Sequence, residues 1–175
     1  KRYYPDLKIL HLDAHLDFRK AYLGSEINHA TVIRRIYEES LPILSIGIRA
    51  ISKEEFEEAE KSSIKVIYAF ELFNSFERVL NHLEDFLKEG SIYLTLDMDA
   101  LDPSLAPGVG TPEPGGILWY QLLEILKRVA RAKVVGMDLV EIRPIPGYSF
   151  TEFLAAKIIY KFSAYLLYYK GVKIK

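Results

Sequence analysis

Lys8-Ile9-Leu10-His11-Leu12-Asp13-Ala14-His15-Leu16-Asp17 (KILHLDAHLD) opens as a short apolar run and closes with Asp13, His15 and Asp17 at alternate positions. A run of this length is a strand, here Lys8–Asp13. Four further runs have the same character: Ile43–Ile48, Lys65–Ala69, Ile92–Asp97 and Lys133–Asp138. Several are apolar at consecutive positions, which suits strands covered on both faces. Helical patterns separate them. Asn28 is placed to cap a short helix from His29 to Glu38, and Ser52 with Glu55 forms a capping box for a helix to about Glu60. Asn74 with Glu77 suggests a cap for a helix to about Glu89, and another helix spans about Ile117 to Arg131. The last starts near Thr151, with Phe153, Ala156, Ile159, Tyr160, Leu166 and Leu167 as its expected apolar face. Alternation of strand and helix predicts an α/β fold with a mainly parallel sheet. Ligands of such sheets lie beyond the carboxyl ends of the strands.

Those ends are where the unusual residues fall. The first strand runs into Asp13, His15 and Asp17, the fourth into Asp97 and Asp99, and the fifth into Asp138 and Glu141. In extended chain, residues i, i+2 and i+4 share a side, so each group can converge. Four carboxylates packed together repel one another unless cations intervene. Carboxylates with an imidazole suit Mn²⁺, Mg²⁺ or Zn²⁺, and this many ligands suit a bridged pair of ions better than one. An EF-hand is excluded, because the twelfth position counted from Asp97 is Gly108. Phosphoryl transfer, with Asp97 as nucleophile and Asp99 as acid, is an alternative, but it gives Asp13, His15 and Asp17 no task.

Composition narrows the classes. The chain has 175 residues, half of them hydrophobic, and a formal net charge of -1. This gives no polyanion-binding surface, so nucleic acid is not an expected partner. The absence of cysteine excludes disulfides, a thiolate metal site and a cysteine nucleophile, and fits a reducing, cytoplasmic setting. No signal peptide is read at Lys1–Asp6. The most apolar stretch, Phe153–Tyr169, is short for a membrane span and carries Lys157 and Lys161, so no membrane partner is expected.

DAHLD at Asp13–Asp17 resembles the Asp-Ala-His-x-Asp motif of the ureohydrolase family of arginases and agmatinases. LTLDMDALDPSLAPGVGTPEPGG at Leu94–Gly116 is similar to that family's longest motif, VGMDLVEIRP at Val135–Pro144 resembles a third, and Ile46-Gly47-Ile48-Arg49 is typical of it. The motifs stand in the family's order over nearly the whole chain. The resemblance implies a three-layer α/β/α fold over a single domain, residues 1–175, and two Mn²⁺ ions. Asp13, His15, Asp17, Asp97 and Asp99 match the metal ligands, Asp13 and Asp97 the bridging pair. Glu141 matches the glutamate that holds the substrate's guanidinium. His29 resembles the histidine that shuttles protons, with Asn28 in place of the usual serine, and Asp99 can assist it in protonating the leaving amine. His11 reads as a core residue behind Asp13, and His82 as solvated.

The implied reaction is hydrolysis of a guanidinium compound to urea and an amine by a homo-oligomeric enzyme. The Ala106–Gly116 run looks more like agmatinases than arginases, which favours agmatine; arginine and other guanidino acids remain alternatives, as does an inactive homologue serving as an assembly subunit. Leu16 and Val109 depart from usual threonines and Glu152 from a usual alanine, and 146–153 lacks an aspartate common in the family. The family also carries an earlier Gly-Gly-x-His segment that completes one metal site, after three strands that precede this point. Neither is found before Asp13, so one ion is expected to bind weakly, an apolar sheet edge to stand unpaired, and this chain to release little urea.

Overall fold

The opening run forms β1, Leu7–Leu12, at the centre of a five-stranded sheet in a computed structural model whose described residues are 1–171. Its neighbours are β2, Ile43–Ile48, on one side and β4, Ser91–Asp97, on the other; β3, Lys65–Tyr68, and β5, Lys133–Val140, are the edges. Every pairing is parallel, with Leu10 opposite Leu44 on one side and Leu94 on the other. The chain steps outward from β1 to β3, then returns to the far side of β1. The sheet order therefore reverses between β1 and β4, and the crevice beyond their carboxyl ends is the expected ligand site.

Two apolar clusters sandwich the sheet and make three layers. Leu10, Leu12, Leu94 and Leu96 pack with α3 (Ala69–Asn74), α4 (Phe76–Leu87), α5 (Trp119–Arg131) and α6 (Phe150–Tyr169). Ile9, Ile43 and Ile48 pack with α1 (Val32–Glu38) and α2 (Lys53–Glu60) on the other side. A buried leucine or isoleucine contributes about 1.5–3 kcal/mol in such a place. All six residues of β2 are buried, as its continuous apolar run requires. The family departures fit here too: Leu16 and Val109 belong to the two cores.

Three expectations need correcting. Asn74 does not cap α4; it ends α3, a short helix that Glu71 opens by accepting from the Tyr68 backbone N–H at 2.9 Å. The helix expected from Ile117 begins at Trp119, because Ile117 is drawn into a bridge with Leu101. In α6 the buried residues are Thr151, Ala155, Ile158 and Phe162, whereas Phe153, Ala156, Ile159, Tyr160 and Leu167 are exposed. That helix is apolar nearly all round, so its pattern does not single out a face. No helix among the described residues is long and apolar enough to cross a membrane.

The β5 side is open. β5 pairs only with β4 and has no fully buried residue. Thr95 and Asp138, bonded at 2.7 Å, are half-buried on this side of the sheet. Among the described residues, β5 is thus an unpaired edge, and apart from Lys133 and Asp138 its side chains are apolar, as expected from the sequence.

Gly47 interrupts β2 at a register shift, with φ +101°. A methyl group there would sit 3.0 Å from the Asp13 carbonyl oxygen. Gly47→Ala should cost about 1–3 kcal/mol, the usual cost of a strained backbone position. A denaturant midpoint unchanged by the substitution would contradict this.

Candidate metal centre

β1 stops at Leu12, but His15 still forms a parallel bridge with Ala50, and the chain turns sharply only at Asp17, whose φ is +53°. β4 ends at Asp97, and Met98–Ala100 form a single 3-10 turn. The alternate-side argument fails at Asp17 and at Asp99, yet the side chains still converge. Asp97 caps its own turn, its Oδ1 accepting from the Asp99 N–H at 2.8 Å. Asp99 Oδ1 accepts from the Ala14 N–H at 3.1 Å, which ties the β4 loop to the β1 loop. Across that tie His15 Nδ1 lies 3.0 Å from Asp99 Oδ2 and 3.5 Å from Asp13 Oδ1.

Asp13, His15, Asp17, Asp97, Asp99, His29 and Glu141 all line one cavity of about 580 Å³ at the switch point. Two sets of donors there are close enough to share an ion: Asp13, His15 and Asp99, and His11, Asp13 and Asp17. Asp97 is in neither set, though it lies on the same wall. His11 is buried with both ring nitrogens engaged, Nε2 with Asp13 Oδ2 at 2.8 Å and Nδ1 with Ser45 Oγ at 3.1 Å. It braces Asp13, as the sequence reading has it. His82 is exposed on α4, far from this chemistry in the sequence reading and solvated in the fold.

The electrostatics describe a site short of positive charge. Burial, then the neighbouring Asp13, pushes the Asp17 carboxyl up to about 7. Burial, then Asp13 and Asp99, raises Asp97 still more. Hydrogen bonds to Asp13 and Asp99 raise His15 to about 10. Burial works to raise Asp13, but His11 and His15 outweigh it and hold it low. Protons and imidazolium are doing what a cation would do better, so the donor set fits divalent metal. No thiolate is present, and oxygen with imidazole nitrogen suits Mn²⁺, Mg²⁺ or Zn²⁺.

His29 follows Asn28, whose Oδ1 accepts from the Ala30 N–H at 3.0 Å, so the expected cap exists. The imidazole is exposed at the cavity wall, with the Tyr22 ring edge-on at 5.7 Å. Glu141 is exposed just past β5, with φ +61°, and its Oε2 lies 3.6 Å from the place a side chain on Gly110 would take.

Several wall residues carried no clear signal in the sequence. Thr111 donates to Asp99 Oδ2 at 3.1 Å. Behind the wall, Arg49 donates to the carbonyls of Gly47, Asp99 and Glu113, at 2.9, 2.7 and 2.7 Å, and so ties β2 to the Asp99 turn and the Glu113 loop. Its place in IGIR was legible; its partners were not. Arg19 and Tyr22 line the wall from a loop without periodicity.

Comparison with known proteins agrees with this geometry. The arginase family model matches residues 1–164. The chain is 41% identical over 158 residues to N(1)-aminopropylagmatine ureohydrolase of Synechocystis sp., covering 90% of the chain and 51% of that protein. It is 41% identical over 150 residues to agmatinase of Bacillus anthracis, covering 83% and 50%. The crystal structure of agmatine ureohydrolase of Thermoplasma volcanium superposes with a TM-score of 0.87 at 36% identity, covering 97% of this chain and 58% of that one. The chain thus spans about half the length of the curated relatives it matches. A match over this much of the chain, with the acidic and imidazole donors gathered at the switch point, leaves one conclusion: the chain belongs to the arginase family.

Proposed function

We propose that this site belongs to a metal-dependent ureohydrolase acting on a guanidinium compound, with agmatine as substrate and urea and putrescine as products. The observation that carries the proposal is the convergence of Asp13, His15, Asp17, Asp97 and Asp99 on one cavity with Glu141 on its wall. Agmatine is favoured because relatives bear the names agmatinase and N(1)-aminopropylagmatine ureohydrolase.

Asp13, His15 and Asp99 would hold one ion, and Asp17 with Asp13 and Asp97 a second, both Mn²⁺ in our reading. When bound, the ions supply Lewis acidity, which lets water attack at neutral pH. The two positions are unequal. His15 lines the cavity and offers a nitrogen to the first, whereas His11 is buried behind Asp13 and does not line it, so the second has only carboxylates from this chain.

Glu141 would orient the planar guanidinium by charge-assisted hydrogen bonds. Water adds to the guanidinium carbon, and the bond from that carbon to the substituted nitrogen breaks. His29, with Asp99, would deliver the proton that the departing amine takes up. The phosphoryl-transfer alternative loses support, since no lysine is among the described residues lining the cavity.

Glu141→Gln tests the substrate assignment in the whole protein. Losing one ionic hydrogen-bond partner costs about 1.5–3 kcal/mol, so KM for agmatine should rise roughly 10–100-fold with kcat less affected. Wild-type kinetics would remove Glu141 from substrate recognition.

Proton release tests the metal assignment. His15 at about 10 and Asp97 raised above the carboxylate range both carry protons at pH 7 in the metal-free chain. Ligands must be deprotonated to bind metal, so Mn²⁺ uptake at pH 7 should release about one to two protons per chain. Calorimetry in two buffers of different ionisation enthalpy measures this. Equal heats in both would contradict the ligand set.

A further inference from the structure

We infer that Glu55 is a positioning residue for the metal centre, holding the Asp17 turn in place from α2; the inference rests on the metal reading above. Glu55 opens α2 within its capping box, and for that task an exposed side chain is enough. Instead the residue is 4% exposed and reaches the first loop. Its Oε1 accepts from the Phe18 N–H at 3.1 Å. Its Oε2 accepts from the Ser52 N–H and Oγ, at 3.1 and 2.8 Å, and from Arg19 Nε at 3.3 Å.

The segment it holds needs holding. Asp17 has φ +53°, a sparsely populated conformation for a residue with a side chain. One side of that turn is fixed by the Arg34 N–H, which donates to the Asp17 carbonyl at 3.2 Å. The other side is fixed by Glu55 through Phe18. The Asp17 carboxylate is thereby kept within sharing distance of Asp13. Beyond Arg19 the same loop carries Tyr22 and His29, and the Arg19 guanidinium lies 4.7 Å over the Tyr22 ring. A carboxylate is required because both of its oxygens accept. A glutamine can serve either Phe18 or the Ser52–Arg19 group, and its NH₂ then opposes the donors of the other.

The test uses Mn²⁺ titration of this chain together with amide hydrogen exchange at Phe18. Glu55→Gln should weaken Mn²⁺ binding about 10-fold, the usual effect of losing a partner behind a ligand, and speed Phe18 exchange about as much. Glu55→Asp, which keeps the charge, should recover part of the affinity. Ser52→Ala removes the helix cap but not the hold on Phe18, so it should lower the melting temperature and leave Mn²⁺ affinity unchanged. If Glu55→Gln and Ser52→Ala both lower the melting temperature and neither changes Mn²⁺ affinity or Phe18 exchange, Glu55 is only a cap and the inference is overturned. A wild-type chain that takes up no Mn²⁺ overturns the metal reading separately. Phe18 exchange then decides alone: faster exchange in Glu55→Gln supports the hold on the turn, and unchanged exchange refutes it.

Discussion

Asp97→Ala is expected to abolish turnover in the whole protein, lowering kcat by at least about a thousandfold, since losing a carboxylate that would hold an ion removes more than the 10–100-fold typical of a supporting partner. The same substitution should make the metal-free chain more stable at pH 7. Burial and the charges of Asp13 and Asp99 raise the Asp97 carboxyl well above its unfolded value of 3.8. A group raised in this way favours the fold below its unfolded pKa, and that contribution is lost as pH climbs through the folded value. At neutral pH Asp97 is therefore a cost that only a cation repays. Its loss should raise the melting temperature without Mn²⁺ and abolish most of the rise that Mn²⁺ produces. A variant that melts lower without metal, and still responds to Mn²⁺ as the wild type does, would show that Asp97 is a structural cap and no ligand.

His29→Ala is the second large effect. A positioned acid or base contributes about 10²–10⁴-fold to a proton-transfer step, and kcat should fall within that range. His29 touches no carboxylate of the centre and is exposed on the cavity wall beside Tyr22. Mn²⁺ affinity and KM for agmatine should therefore change little. Steady-state kinetics and a Mn²⁺ titration on the same preparation separate the two. Loss of metal binding in step with kcat would make His29 a structural support for the loop instead of a proton carrier.

Reading the sequence located the acidic and imidazole side chains of the cavity but not their scaffolding, for physical reasons. Strand identity was legible because β1, β2 and β4 are buried on both faces, and their apolar runs have no competing interpretation. α6 was not legible in detail because Phe153 and Ile159 are as apolar as Ile158 and Phe162, and only the fold decides which pair is covered. α3 was missed because its opening depends on Glu71 reaching back to Tyr68, in a stretch where Asn74 and Glu77 offered a more familiar cap. The candidate ligands were reached through an extended-chain spacing argument that the structure does not follow at Asp17 and Asp99. Asp97 and Asp99 converge through a 3-10 turn and the Ala14 tie, so the motif carried the information and the geometry assumed for it did not. Glu55 shows the same limit. Its capping box was plain in the sequence, whereas its grip on Phe18 joins residues 37 apart, and no local pattern records it.

The most direct test of the metal centre is anomalous diffraction from crystals of this chain grown with Mn²⁺. The account predicts a strong peak between His15 Nδ1, Asp13 and Asp99, with a second, weaker one on the Asp17 and Asp97 side of Asp13. A cavity without anomalous density, in crystals whose Mn²⁺ sits only on surface carboxylates, would contradict it.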